Sequence, residues 1–138
     1  MLLHRPWWLA ALSVAAAGAL ATRGMRRVQV LGSSMEPGLL PGDHLLLLRL
    51  GRVRRGDVVA LRHPRDRDTV VVKRVAALPG EAVTCEGAVL RAGTGYVVLG
   101  DNLGASHDSR RFGAVPAPLV LGRCVYRYWP EARRGRLA

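Results

Sequence analysis

Thr69-Val70-Val71-Val72-Lys73-Arg74-Val75-Ala76 is the stretch on which the fold turns. It reads as a β-strand, and a period of two places Lys73 on the face of Val71 and Val75 while turning Arg74 to the other. Lys73 is the sole lysine among 21 basic side chains; the others are arginine. An amine held against valines is poorly solvated when charged, and burial lowers a lysine pKa by up to roughly 3–5 units from ~10.4, whereas arginine stays charged. A neutral lysine can act as a general base. The competing reading is a surface lysine whose stem lies over apolar neighbours, in a composition that leaves few lysines anyway.

Outward from this strand, short β-rich stretches alternate with turn residues. Val28–Leu31, His44–Leu50, Val58–Arg62, Ala82–Cys85, Ala88–Arg91, Tyr96–Leu99 and Leu119–Tyr128 are the stretches. Pro41-Gly42-Asp43, Arg55-Gly56-Asp57, His63-Pro64, Pro79-Gly80, Glu86-Gly87 and Gly93-Thr94-Gly95 are the turns. No helix-period stretch competes with them, and Pro116-Ala117-Pro118 stiffens the approach to the last strand. The expectation is a mainly β fold, a small coiled or closed β-sheet domain over residues 25–138, preceded by one N-terminal transmembrane helix.

That helix is expected within residues 1–24. From Trp7 to Thr22 the chain is apolar and alanine-rich, with Arg5 before it and Arg23, Arg26 and Arg27 after it. At ~1.5 Å per residue the run reaches about 24 Å, short of the ~30 Å hydrocarbon core unless Leu2, Leu3 and Arg5 extend it. Trp7 and Trp8 suit the interface belt of a retained anchor. Ala19-Leu20-Ala21 equally offers the small residues of a cleavable signal peptide. The arginines that follow favour a cytoplasmic C-terminal domain.

At 138 residues the chain holds this segment and one domain. A net charge of +11 invites an anionic surface as partner. The arginines are scattered, however, and aromatic residues for base stacking are few, so nucleic acid is not expected. Cys85 and Cys124 lack metal-ligand spacing; they can form a disulfide or stand as two small buried residues. No metal or other cofactor is expected.

Gly32-Ser33-Ser34-Met35-Glu36-Pro37-Gly38 leaves the first strand in a tight, exposed turn that can present a serine hydroxyl. A turn serine commonly makes only a local hydrogen bond. No Gly-x-Ser-x-Gly elbow occurs. His107 lies beside Asp108 and Ser109 in sequence, while His44 and His63 flank turns, so a histidine-based triad is the lesser reading.

These residues resemble those of type I signal peptidases. Gly32-Ser33-Ser34-Met35-Glu36-Pro37 is similar to the family's serine box, Gly42-Asp43 and Gly56-Asp57-Val58-Val59 to its Gly-Asp boxes, and Val72-Lys73-Arg74-Val75 through Leu78-Pro79-Gly80-Glu81 to its lysine box. Gly100-Asp101-Asn102, with Ser106-His107-Asp108-Ser109-Arg110 and Gly113, resembles the last box. Order and spacing agree from Val28 to Trp129. The resemblance implies a Ser34 nucleophile and a Lys73 general base. It also implies that Ser106 hydrogen-bonds and orients the Lys73 amine, that Asp108 and Arg110 pair to hold the loop, and that Asp101 and Asn102 shape the approach to it. Met35, beside the nucleophile, is the expected hydrophobic wall of the substrate site.

Three departures mark a divergent branch. Gly32 stands where some members carry a serine that donates to the oxyanion, leaving Ser33 as a weak substitute; Gly38 replaces a threonine; and Leu103-Gly104-Ala105 replaces a polar Arg-Asp-Asn. The interval between the lysine box and Gly100 holds only a hairpin around Glu86-Gly87, a compactness similar to mitochondrial inner-membrane peptidases and to short bacterial members, one group of which matures nickel superoxide dismutase. The implied function is a membrane-anchored serine endopeptidase that removes signal peptides from exported preproteins, with the lipid bilayer as its other partner and the catalytic domain on the extracytoplasmic face of the cell membrane. The alternatives are a dedicated maturation protease of the same family, facing inward as the arginines favour, and a non-catalytic membrane-anchored basic binding protein.

Overall fold

Valine and leucine at successive positions give a strand two apolar faces, and the central strands of this protein bury both. In the computed structural model, which describes residues 24–49 and 51–138, strand β3 (Val58–His63) sends Val58 and Ala60 into one core cluster and Val59 and Leu61 into a second. Strand β4 (Asp66–Ala77) repeats the division, with Val72 in the first cluster and Val71 and Val75 on the second. The first cluster also takes Val30, Met35, Leu39, Leu45 and Leu47; the second takes Val98, Val115 and Leu119. The first cluster is thus enclosed by the sheet's own strands together with Val30, Met35 and Leu39, and the second is covered by the segment that carries Val115 and Leu119.

The remaining strands are β1 (Met25–Gln29), β2 (His44–Leu48), β5 (Ala82–Cys85), β6 (Ala88–Arg91), β7 (Val97–Leu99), β8 (Val120–Trp129) and β9 (Gly135–Arg136). All pairings are antiparallel, in the order β1-β2-β8-β3-β4-β7, with β9 on β8 and with β5 and β6 as a separate hairpin. Sequence reading placed each of the first eight strands within a few residues, and β5 and β6 at their observed bounds.

Two expectations need correction. The sheet does not close: β1 pairs only with β2, and β7 covers β4 only over Arg74–Ala77. The first half of β4 therefore keeps one edge unpaired, and an open cleft separates it from the chain that continues β1. One helical turn, α1 (Ser109–Phe112), also stands where none was expected. Four residues are too few to show a period, and the turn is fixed by the Asp108 carboxylate capping the Arg110 N–H. Residues 1–23 of the expected membrane anchor lie outside the described residues, among which no helix is long and apolar enough to cross a membrane.

Where β8 shifts register against β3, Gly122 has φ +155° and passes close to the end of β2. A Cβ there would lie 2.9 Å from the Leu48 carbonyl carbon, backbone that cannot yield. Gly122→Ala is expected to lower the unfolding free energy by about 2 kcal/mol or more, read as a shifted midpoint in urea.

Candidate active site

The chain leaves β1 through Val30 and turns over residues 33–38, closed by the Glu36 N–H on the Ser33 carbonyl and the Leu39 N–H on the Met35 carbonyl. Met35 drops into the first core cluster at 1% exposure, and this anchor leaves its neighbour Ser34 half-buried at the surface. Met35, expected as a wall of the substrate site, does line the cleft, but as a nearly covered floor.

β4 delivers Lys73 to the same place. Its amine donates a hydrogen bond to Ser34 Oγ at 2.8 Å, and the residue is 4% exposed. Burial holds the amine's pKa below the ordinary lysine value; Asp108 pulls it back up, and Arg110 pushes it down again. A neutral amine at this distance is placed to accept the hydroxyl proton.

The loop from Gly100 to Arg110 closes over the pair. The Asn102 N–H bonds the Ser34 carbonyl at 2.9 Å, and the Asn102 side-chain amide bonds the Ser33 carbonyl at 3.2 Å. Gly100 lies so close that a Cβ there would sit 2.6 Å from the Ser34 carbonyl oxygen and would overlap the Ser106 side chain. The expected hydrogen bond from Ser106 to Lys73 is not formed; Ser106 Oγ is buried against Gly100 without a partner among the described residues. Asp108, 0% exposed, takes the Gly100 N–H at 3.0 Å and grips Arg110 Nε at 2.9 Å and Nη2 at 3.1 Å. Arg110 also reaches the carbonyls of Leu103 and Ser106, tying both ends of the loop together.

Asp101 and Asn102 thus hold more than the approach to the loop. Asp101 pairs in a two-pronged contact with Arg74 Nε and Nη2, both at 2.8 Å, and Arg74 Nη1 bonds the Gly56 carbonyl. Sequence reading turned Arg74 away from Lys73 correctly but assigned it no partner. It also missed a buried clamp. Asp43 accepts the Leu40 N–H, pairs with Arg127 at 3.1 Å and with Arg133, and Arg127 also bonds the Gly38 carbonyl. The turn that carries Ser34 is therefore fastened at both of its ends. The Pro41-Gly42-Asp43 turn was the available signal, but its partners lie far along the chain.

Between Gln29–Gly32 on one side and Thr69–Lys73 on the other lies a cleft of about 240 Å³, with Ser34 and Lys73 in its lining. No histidine among the described residues lines it. His107 stacks on His63 with centroids 6.1 Å apart, His44 faces Tyr128, and none of the three bonds Ser34. Cys85 and Cys124 are buried and unbonded, and burial pushes the Cys124 thiol up to about 12.

Burial acts to raise the Asp108 pKa, but its bonds to Arg110 and to the Gly100 N–H outweigh that and hold it at about 2, against an ordinary 3.8. The lowered carboxylate contributes stability that is present above the ordinary value and is lost as pH falls through about 2. Asp108→Asn is expected to cost about 2 kcal/mol at neutral pH. In thermal unfolding against pH, the gap to the wild-type protein should close between about 4 and about 2.

The chain matches the family described as signal peptidase, peptidase S26, over residues 5–94 and 91–129. It is 40% identical over 122 residues to the mitochondrial ATP-independent inner membrane protease subunit 1a of Arabidopsis thaliana, covering 78% of this chain and 73% of that protein. Similar matches join it to the mouse mitochondrial inner membrane protease subunits 1 and 2, at 36% identity (80% of this chain, 73% of the relative) and 37% identity (79% and 70%). With a serine and a buried lysine in contact in one cleft, and with these relatives, the chain belongs to the peptidase S26 family of signal peptidases.

Proposed function

We propose that this protein is a membrane-anchored serine endopeptidase that removes N-terminal signal peptides from exported preproteins, with Ser34 as nucleophile and Lys73 as general base. The observation that carries the reading is the 2.8 Å contact of a buried amine with Ser34 Oγ. The neutral amine takes the hydroxyl proton as Oγ attacks the scissile carbonyl, and the resulting ammonium returns it to the leaving amine as the peptide bond breaks. Water then attacks the acyl-enzyme, with Lys73 taking its proton and returning it to Ser34. The backbone N–H of Ser34 serves the oxyanion. Gly32 offers no side-chain donor beside it.

The substrate lies extended in the cleft. The unpaired edge of β4 offers its backbone groups to an added strand, so main-chain pairing holds the peptide whatever its sequence, and the shallow pocket above Met35 admits small side chains. The anchor over residues 1–24 keeps the domain at the membrane, on its extracytoplasmic face, where signal peptides emerge. Arg23, Arg26 and Arg27 favour a second reading, a dedicated maturation protease on the inner face acting on a single precursor.

The test is cleavage of an alanine-x-alanine signal-peptide substrate by the detergent-solubilised full chain, with the cut position read by mass spectrometry. Ser34→Ala and Lys73→Ala are each expected to reduce kcat by about 10³-fold or more while leaving the fold intact. Full activity of a folded Ser34→Ala protein would sink the reading. Because burial lowers the Lys73 pKa, kcat/KM should rise with pH along a limb whose midpoint lies below the ordinary lysine value of 10.5.

The space around Gly32 is open, with nothing within 4 Å of a Cβ built there. Gly32→Ser is therefore expected to add an oxyanion donor and raise kcat about ten-fold in the same assay.

A further inference from the structure

Beyond the cleft that holds Ser34, the space between β1 and β4 widens into a second groove of about 550 Å³. The two are continuous, since Gln29, Leu31, Thr69 and Val70 line both. Their chemistry differs. The cleft around Ser34 is walled by valines, whereas Arg26, Arg27 and Arg62 flank the groove with Asp68 as its one carboxylate.

All three arginines are exposed, and none forms an ion pair among the described residues. Arg62 is nonetheless held in place, its Nη1 bonding the Arg67 carbonyl at 2.8 Å. Arg26 shares the Leu47 face of the sheet with the groove, whereas the Arg27 guanidinium turns to the other face, 5.6 Å from the centre of the Tyr128 ring. A guanidinium that is fixed but lacks a carboxylate has little left to lose on binding an anion.

We propose that this groove is a distal substrate subsite that selects precursors carrying Asp or Glu at a distance from the scissile bond. The inference rests on the peptidase reading above and names the substrate feature that the same site prefers. A peptide is the occupant because the groove continues the catalytic cleft and lies along the same unpaired strand edges. A strand seated in the cleft would run directly into it. Ser34 lies five residues beyond Gln29 and eight beyond Arg26 in the chain. At ~3.3 Å per paired residue, the acidic side chain belongs roughly four to eight residues from the cut.

The experiment uses the full chain in detergent and a set of peptides sharing one cleavable sequence, with Asp, Asn or Lys placed in turn at each of those positions on either side of the scissile bond. At low ionic strength, Asp at the matching position is expected to raise kcat/KM about five-fold over Asn through KM alone, and the advantage should shrink in high salt. Arg26→Glu and Arg62→Glu combined should reverse the order, favouring Lys over Asp. Arg62→Gln alone should weaken the preference and serves if the double variant does not fold.

Equal rates for Asp, Asn and Lys peptides, or a preference for Asp that survives charge reversal, overturn the proposal. If the peptides show no preference but charge reversal releases the protein from phosphatidylglycerol vesicles, the arginines serve lipid phosphates instead. Failure to cleave the Asn peptide at all, or cleavage that persists in Ser34→Ala, strikes the peptidase reading itself and is thereby separable from failure of the subsite.

Discussion

An amine buried among valines and still in contact with a hydroxyl is the constraint that organises this molecule. Removing an ammonium from water is costly, and the usual remedy is an adjacent carboxylate. Here a carboxylate, Asp108, does exert its field on Lys73, but Arg110 holds it in a two-pronged grip and opposes its influence on the amine. The loop therefore packs closely over the lysine while favouring its charge less than the carboxylate alone would, and burial keeps the amine's pKa below the ordinary value. The Asp108–Arg110 pair thus acts on Lys73 electrostatically as well as holding the loop, and Ser34 stays half-exposed beside it.

The alternation of β4 distributes this work between its two faces. Lys73 and Val75 point toward the second core cluster and the loop that closes over the serine. Arg74, on the opposite face, reaches round to Asp101 at the start of that same loop and to the Gly56 carbonyl. A register slip of one residue would exchange the two basic side chains, putting a permanently charged guanidinium where the Lys73 amine meets Ser34. Burial of both faces of β3 and β4 makes such a slip expensive, since valines and alanines on each side have fixed places in separate clusters.

What could be read from the sequence was whatever depends on neighbours a few residues away. The strand period assigned Lys73 and Arg74 to opposite faces, turn residues bounded β5 and β6, and the glycines around Ser33-Ser34 signalled an exposed turn. Apart from the pairing of Ser34 with Lys73, which the resemblance implied, contacts across the fold were not legible. Nothing local says that Asn102 bonds the Ser33 carbonyl, that Arg74 meets Asp101, or that Ser106 packs on Gly100 instead of reaching Lys73. The closure of the sheet failed as an expectation for the same reason: strand count and spacing do not say whether the end strands meet. Asp108 was expected as the partner of Arg110, but its capping of the Arg110 N–H, which makes the single turn α1, carries no period that a four-residue stretch could show.

The Asp43 clamp sets an order on events. The turn bearing Ser34 is fastened by arginines 84 and 90 residues further along the chain than the carboxylate they share. Contacts of such separation are the slowest to form, because the intervening chain must be organised before they can be made. During synthesis the serine emerges long before Arg127 and Arg133 do, and it stays in an unfastened turn until they dock. The turn that carries Ser34 therefore reaches its final geometry only once β8 and the segment after it have been made.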